Sequence, residues 1–581
     1  MSFAFILQKI RDTLVTTRLA LRSGRVCIRR FKTADLCSGQ VMHSSAHWRL
    51  VWGMFLGLAP LLEVSCSRTP SVPRTETAQE SPVEEANAWG EELFDYAIEN
   101  LNQLERFQSK AMLRQIVDRL NQWIGSQAVP SAWNPDPLLA TLPKPLSTPR
   151  QLQELSVLQF SPDDALVLRE AVWLRDVSVW VRGTSVDELS RARNLFDWTV
   201  RNIQLSAANQ ERSRSVWNLP QSPWETLLFG QGTATDRAWV FVLLCRQQGI
   251  EAAVLFPAPL VGVLANGRCF LFDPTLGLPV PSRGGITFDR LGRLDIRPAT
   301  LDEAAGDDRV LRQLDVDISH PYPLKATQLK NLTAMIVASP ESLSLRMKLV
   351  EARTVSQQRA VFSIDASSHA RRWKQVAHIS DTQLWPYPFK ILRSPSRTER
   401  KESQQRLSRL LPFESVLGGE LEKARVLHLK GMVAGENGAS RIYQNARPSN
   451  DDLREDEGRR TQQYLETARK QHPDATPLLL EALSREEAAE DKALVLWAKQ
   501  AATYWLGLIA YERQSYVDSI DYLQKRTLGA WPNGFWTHGA KYNLARAYEA
   551  SGQRDKAVEY YREADTDWGA QLRAKWLTLK K

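Results

Sequence analysis

The sequence is poor in the residues from which metal and redox centres are built. It holds five cysteines in 581 residues, Cys27, Cys37, Cys66, Cys245 and Cys269, and no CxxC pair, which argues against a structural zinc site. Only Cys245 and Cys269 fall in stretches that read as globular, where a lone thiol is ordinarily a small buried hydrophobe. No histidine lies between His47 and His320, and His320, His369, His378 and His428 have no metal-ligand spacing with acids or cysteines. A phosphate-cradling loop is also missing: Gly284-Gly285-Ile286 is too short, and Gly418-Gly419-Glu420 reads as a turn. No metal and no cofactor is expected. The apolar run at residues 50–62, LVWGMFLGLAPLL, is too short to span a bilayer comfortably.

Charge is the next shortage, once its location is considered. The formal net charge is +9, but residues 1–66 hold nine Lys/Arg against Asp12, Asp35 and Glu63, and so carry +6 of it. The other 515 residues are left with +3. No domain-wide basic footprint remains, and no nucleic-acid partner is expected.

The N-terminus reads as an address. The run at 50–62 suits the apolar core of a signal peptide, with His47 and Arg49 just before it. Val64-Ser65-Cys66 follows at once and resembles a bacterial lipobox, which makes Cys66 the lipidation candidate and the N-terminus a membrane anchor; Glu63 departs from the aliphatic residue such a box has. Met42 would give a signal of ordinary length. Residues 67–88, SRTPSVPRTETAQESPVEEANA, lack aromatics and are rich in Pro, Ser, Thr and Glu. Such a segment cannot bury enough surface to fold, so it reads as a tether.

The body is mostly helical in pattern. Leu93, Ala97, Leu101 and Leu104, then Leu113, Ile116, Val117, Leu120 and Trp123, recur at helical spacing and predict two helices with a turn near 108–111. Residues 129–150 read as a Pro-rich loop, and about 162–181 as a further helix. Asp187-Glu188 open a helix with Ala192, Leu195, Phe196, Val200 and Ile203 on one face. A polar loop covers 205–222, and a helix over about 233–249 ends on Gly249 as a left-handed cap. Short β runs follow at 252–256, 261–265 and 268–272, the last two joined by Asn266-Gly267, a strong two-residue hairpin signal. Helices followed by antiparallel strands indicate an α+β unit. Further on, 361–364 reads as a strand, Trp385-Pro386-Tyr387-Pro388-Phe389 as a loop, and 394–408 as a solvated linker or helix face.

Residues 421–581 read as helical and fit the 34-residue tetratricopeptide pattern. With Ala545 as the small residue of a first helix, Leu544, Tyr548, Ala557, Tyr561 and Ala564 suit the fixed offsets, and Gly552 supplies the turn. Lys541 stands where Trp is usual. A preceding copy fits around Leu506-Gly507, Ser519 and Leu523, with an insertion at Trp531-Pro532-Asn533-Gly534; a third candidate at 429–443 is weaker.

Within 186–280 the chain resembles the transglutaminase-like superfamily, of papain-type α/β fold. The residues that carry this are Gly232-Thr233-Ala234-Thr235-Asp236-Arg237-Ala238 for the family's G-x-C-x-[DE]-x-A, Leu243-Leu244-Cys245-Arg246-Gln247-Gln248-Gly249-Ile250 for its helix end, and Phe272-Asp273-Pro274-Thr275 for its closing strand. The pairing with an exported N-terminus is also similar to large proteins of planctomycete bacteria. The resemblance implies a thiolate at the helix N-terminus, stabilised by the macrodipole, a histidine on the next strand and an aspartate that orients it. Ala234 stands at the nucleophile position. The stretch due to carry the histidine, 256–262, is Phe-Pro-Ala-Pro-Leu-Val-Gly. Asp273 alone matches. Cys245 lies eleven residues past Ala234, about 16 Å along a helix, and cannot replace it. Thr233 and Thr235 carry hydroxyls but have no base in sight.

The expected organisation is therefore a multidomain, mainly α chain with an α+β transglutaminase-like core and C-terminal tetratricopeptide-like hairpins. Its parts are residues 1–66 (extension and signal or lipoprotein-like segment), 67–89 (disordered linker), 90–185 (helical), 186–299 (transglutaminase-like), 300–420 (mixed) and 421–581 (helical, with repeats at about 500–534 and 538–572). The expected function is a non-catalytic, exported interaction or scaffold protein of the cell envelope, with a protein or peptide partner on the repeats. The rival reading is a cysteine-independent protease or transamidase.

Overall fold

Short polar residues set the helix starts. Thr148, Ser161, Thr233, Thr300 and Ser449 each cap a helix, and each is answered three residues later by Gln151, Asp164, Asp236, Glu303 or Asp452 in a reciprocal capping box, which satisfies two otherwise orphaned backbone donors. The computed structural model describes residues 82–107, 109–127, 133–205, 221–354, 359–392, 409–413, 419–564 and 567–579, all in the unit Pro82–Lys581. The apolar run at 50–62, the lipidation candidate Cys66, the tether up to 81, the polar loop at 206–220 and the charged stretch 394–408 lie outside the described residues.

The N-terminal helices Pro82–Asn102 and Ser109–Gly125 pack on each other and on Pro162–Val181. Their shared core holds Phe94, Ala97, Leu101, Ile116, Leu120 and Trp123, close to the face the periodicity predicts. The first of these helices starts inside the expected linker. Between 133 and 150 the expected loop contains 3₁₀ turns at Pro137–Thr141 and Lys144–Leu146.

Three small groups of strands follow. β1 (Gln204–Leu205) pairs in parallel with β2 (Gln231–Gly232). The main sheet runs β10-β9-β3-β4-β5-β6, where β3 is Glu251–Phe256, β4 Leu260–Ala265, β5 Arg268–Asp273 and β6 Leu278–Pro279. β7 (Pro281–Phe288) and β8 (Leu294–Pro298) form a separate hairpin. β9 (Leu332–Ile336) is antiparallel to β3, and β10 (Ile379–Leu384) is parallel to β9. The region 300–420 thus supplies two strands of the same sheet. Asn266 and Gly267 take φ of 50° and 72°, the two left-handed residues of the tight hairpin that joins β4 to β5, and Gly249 takes φ 68°.

Two expectations in the mixed region are corrected. Residues 361–364 form no strand, because the Val361 N–H and C=O are both taken by the Gln247 side chain at 2.9 and 3.0 Å. The expected loop at 385–389 opens a helix, Pro386–Leu392. Its prolines lie in the first turn, where backbone N–H groups have no helical acceptor to lose. A short helix at Pro223–Phe229 was also not expected.

The sheet is covered on both faces. Val261, Val263, Phe270 and Phe272 join the core built with helices Glu188–Asn202 and Ala234–Gln247. Leu260, Cys269 and Leu271 join the other core, with Trp373, Leu572 and Trp576. That alternation is the pleat of a sheet buried on both sides. Among the described residues no helix is long and apolar enough to cross a membrane.

The C-terminal region is helical. Asn450–Gln471 and Pro477–Glu512 form an antiparallel pair, the second helix being 36 residues long; it runs through the expected repeat start near 500. Up to residue 494 its buried positions are Leu480, Ser484, Ala488 and Asp491, a single stripe at helical spacing. Leu478 and Leu479 are exposed at its start. From Ala501 to Ala510 every residue is buried. Helical hairpins follow, the last made by Thr537–Ala550 and Arg554–Glu563 with Gly552 at φ 77°; Leu544, Ala545, Tyr548, Ala557, Tyr561 and Ala564 are all buried.

The last helix, Trp568–Leu579, meets the turn after β5 so closely that a Cβ on Gly569 would lie 1.8 Å from the Leu276 carbonyl oxygen. Gly569→Ala is expected to lower stability by about 1–3 kcal/mol, the usual range for overpacking, with a lower urea midpoint at unchanged slope as the readout.

Candidate functional site

The core helix is the element on which the motif hangs. Thr233 is its N-cap and Ala234 its first residue. Thr233 is exposed and Ala234 half-buried, so the position due to hold a thiol presents a methyl group close to solvent. The local hydroxyl is engaged. Thr233 Oγ1 lies 2.9 Å from Asp236 Oδ2 and accepts from the Asp236 N–H at 3.2 Å. Asp236 is buried and takes a third donor, the Tyr387 hydroxyl, at 2.9 Å. Burial raises its carboxyl above the ordinary range, against the opposing hydrogen bonds of Thr233 and Tyr387. Burial, and then the charge of Asp236, push the Tyr387 phenol upward. Trp239, Trp385 and Tyr387 pack as a ring cluster beside this turn, with centroids 5.1–6.3 Å apart. The sequence pattern places Trp385 and Tyr387 in a loop, and nothing in it ties them to the helix start.

Asp273 is the last residue of β5, and the direction of its side chain follows from its neighbour. Its neighbour Phe272 packs against Phe241 of the core helix at 5.3 Å. Strand alternation therefore turns Asp273 to the opposite face of the sheet. There its Oδ1 accepts from the Thr275 and Leu276 N–H groups at 2.8 and 3.0 Å, closing the turn, and its Oδ2 accepts from the Tyr322 hydroxyl at 2.7 Å. The register Val261 with Phe272, carried one step on, puts Leu260 opposite Asp273. A leucine side chain thus stands across from the carboxylate, on the same face, where the resemblance implies an imidazole. Burial raises the Asp273 carboxyl, opposed by Tyr322 and the two N–H donors. Tyr322 is itself buried in the second core, and its phenol is pushed well up, first by burial and then by the charge of Asp273.

The helix start and the Asp273 turn are nevertheless neighbours through Arg237. Its Nη1 reaches the Pro274 carbonyl at 3.4 Å, and its Nε and Nη2 donate to Ile203 and Val200 carbonyls at 2.8 and 3.2 Å. Arg237 is a strut: it joins the end of one helix, the start of the next and the turn after β5 by carbonyl contacts alone.

Neither described thiol is poised for attack. Cys245 and Cys269 are free and buried, and burial pushes both well above the ordinary thiol range. Cys269 Sγ and the Trp373 ring both crowd Gly262, where a Cβ would meet each at 2.9 Å. Histidines pair with acids instead: His320 with Asp317, His428 with Glu512, and His538 with Asp567 at 3.6 Å. Among the described residues no three His, Cys, Asp or Glu side chains come together as a metal site.

The core helix opens at a capped turn and packs beside antiparallel strands, an α+β arrangement. Residues 176–257 match the family model of the transglutaminase-like superfamily, so the chain contains a transglutaminase-like domain. The match takes in Ala234 and ends before Asp273. No curated protein and no solved structure matches the chain.

Asp273 supplies a test with a definite sign. A carboxyl whose pKa is higher folded than unfolded contributes stability that is full below the unfolded value and is lost as pH rises through the folded one. Asp273→Asn removes this titration. The variant's deficit relative to wild type, read from urea midpoints, is expected to be larger at about pH 4 than at about pH 7.5. An Asp273 held mainly by a cationic partner would give the opposite trend.

Proposed function

We propose that this is an exported, non-catalytic interaction or scaffold protein in which a transglutaminase-like domain serves as a structural platform. One observation carries the reading: Ala234 occupies the first turn of the core helix where a nucleophile is due, and a methyl group cannot attack a carbonyl. The rest of the neighbourhood supports it. Leu260 faces Asp273, Asp273 closes a turn and accepts from a phenol, and the Thr233 hydroxyl is held in a capping box. Against a threonine-based protease or transamidase stands the commitment of the one carboxylate beside the Thr233 hydroxyl: Asp236 is buried, closes the capping box and also accepts from Tyr387.

The C-terminal hairpins, read as tetratricopeptide-like, carry the partner-binding role in this proposal. Part of their surface faces inward. Gly539 N–H donates to Gln204 Oε1 at 3.1 Å, Asn543 Nδ2 to the Arg201 carbonyl at 3.0 Å, and Arg546 pairs with Asp197 at 2.7 Å. The helix Thr537–Ala550 thus grips the chain's own domain. A protein or peptide partner would use the faces of the repeats at about 500–534 and 538–572 that are left open. Membrane attachment through the N-terminal segment, with Cys66 as lipidation candidate, completes the reading.

Purified full-length protein is expected to show no acyl transfer and no peptide cleavage above a buffer blank. Iodoacetamide labelling followed by peptide mass spectrometry is expected to leave Cys245 and Cys269 unmodified in the folded state. Turnover that disappears in Asp273→Ala, while a thermal unfolding scan shows the variant folded, would overturn the proposal.

A further inference from the structure

The core helix has a second end, and it opens into a cleft. At its C-terminal side a hollow of about 600 Å³ is bordered by Arg246, Gly249–Glu251, the segment from Ser342 to Lys348 and residues near 133–137 and 361–372. Ala234 and Asp273 do not border it.

Four carboxylates on its walls each have a partner within the protein, with Glu251 Oε2 alone left without a hydrogen bond. Asp136 accepts from the Leu138 N–H and from the Ser367 N–H and hydroxyl. Glu251 is held by Arg372 and faces His369 Nδ1 at 3.6 Å. Glu351 accepts from the Phe362 and Ser363 N–H groups, the Ser363 hydroxyl and Arg359. Asp365 caps the helix Ala366–Trp373 through Ser368. The serines of the hollow are engaged as well: Ser342 donates to Ser339 and Ser344 to Glu341.

Two cations are left over. Lys348 is exposed and makes no ion pair among the described residues. Arg246 is half-buried and donates one N–H to the Val337 carbonyl. No described acid stands at ion-pair distance from it. Burial lowers its guanidinium to about 10, with only the more distant charge of Glu351 opposing. A guanidinium with unused donors in a recess is the group best matched to a carboxylate or another oxyanion. Trp133, Pro137 and Leu343 add an apolar wall to the same hollow, the usual combination of a few polar anchors and a greasy surround.

We propose that this cleft binds a carboxylate ligand with an apolar body, the charge held by Arg246 and Lys348 and the body resting on the wall formed by Trp133, Pro137 and Leu343. A free organic acid and the C-terminal end of a peptide share this chemistry. The site does not depend on whether the Ala234 end of the helix is inert, and an active enzyme would leave it standing.

The test is titration calorimetry on the full-length protein with N-acetyl-L-phenylalanine, its uncharged amide, and the acetylated tripeptide Ala-Ala-Phe with a free C-terminus. The acid is expected to bind about tenfold or more tightly than the amide, because the charge-assisted bonds vanish with the charge. Arg246→Gln is expected to abolish binding. Since that change also removes the bond to Val337, Lys348→Ala, at an exposed position, is the second variant; it is expected to weaken binding several-fold with an unchanged thermal midpoint. A tripeptide that binds more tightly than the single acid supports a peptide-end ligand, and equal affinity supports a small acid. Absence of heat with the acid, equal binding of acid and amide, or unaltered affinity in Lys348→Ala overturns the proposal.

Discussion

The structure depends on a buried charge network that joins the transglutaminase-like domain to the C-terminal helices. Asp197 receives Arg201 at 2.9 Å and Arg546 at 2.7 Å. Glu512 receives Asn202 Nδ2 at 2.9 Å and His428 Nε2 at 3.0 Å, with Arg201 at 3.7 Å. Arg425 completes it with two bonds to the Leu227 carbonyl and one contact to His428 Nδ1 at 3.2 Å. An arginine N–H can only donate, so Nδ1 accepts, and the His428 ring is neutral with its proton on Nε2, directed at Glu512. Burial depresses His428 in the same sense. Burying such groups stabilises little in net terms, but removing one partner strands the others at a cost of about 3–5 kcal/mol. The network therefore fixes one relative placement of the two helical layers.

The polar groups around the start of the core helix and the end of β5 are bonded to one another. Asp236 holds Thr233 and Tyr387, Asp273 holds its own turn and Tyr322, and Arg237 bridges three backbone segments. Each acid near the motif has acquired a phenol from the region 300–420, which is the region that also extends the sheet. The region 251–279 and the strands of 300–420 share one sheet, and these polar groups are part of its packing.

Much of this was legible in the sequence, for reasons that can be named. Capping residues and hydrophobic spacing marked the helices at 162–181, 188–202 and 234–247, and Asn266-Gly267 marked the hairpin, because these signals are local. The helix expected over about 233–249 spans Ala234–Gln247. Strands β9 and β10 were missed because a strand completed by partners far along the chain has no local signature; β9 pairs with β3 across about eighty residues. The helix at 386–392 was missed because two prolines in five residues look like a loop, although both fall where a helix tolerates them. Tyr322 and Tyr387 were invisible as partners of Asp273 and Asp236, since the contacts span 49 and 151 positions. The orientation of Asp273 was equally hidden, because a motif gives residue order and leaves the face of the pleat open.

The 36-residue helix Pro477–Glu512 has a mechanical consequence. At about 1.5 Å per residue it is a rod of about 54 Å. Its exposed tip begins with Leu478 and Leu479, and its far end delivers Glu512 into the charge network. A bent hinge would dissipate a push on the tip, but an uninterrupted helix transmits it lengthwise. A load applied at the outer leucines is thus shared along the buried half of the rod, Ala501 to Ala510, before it reaches Glu512.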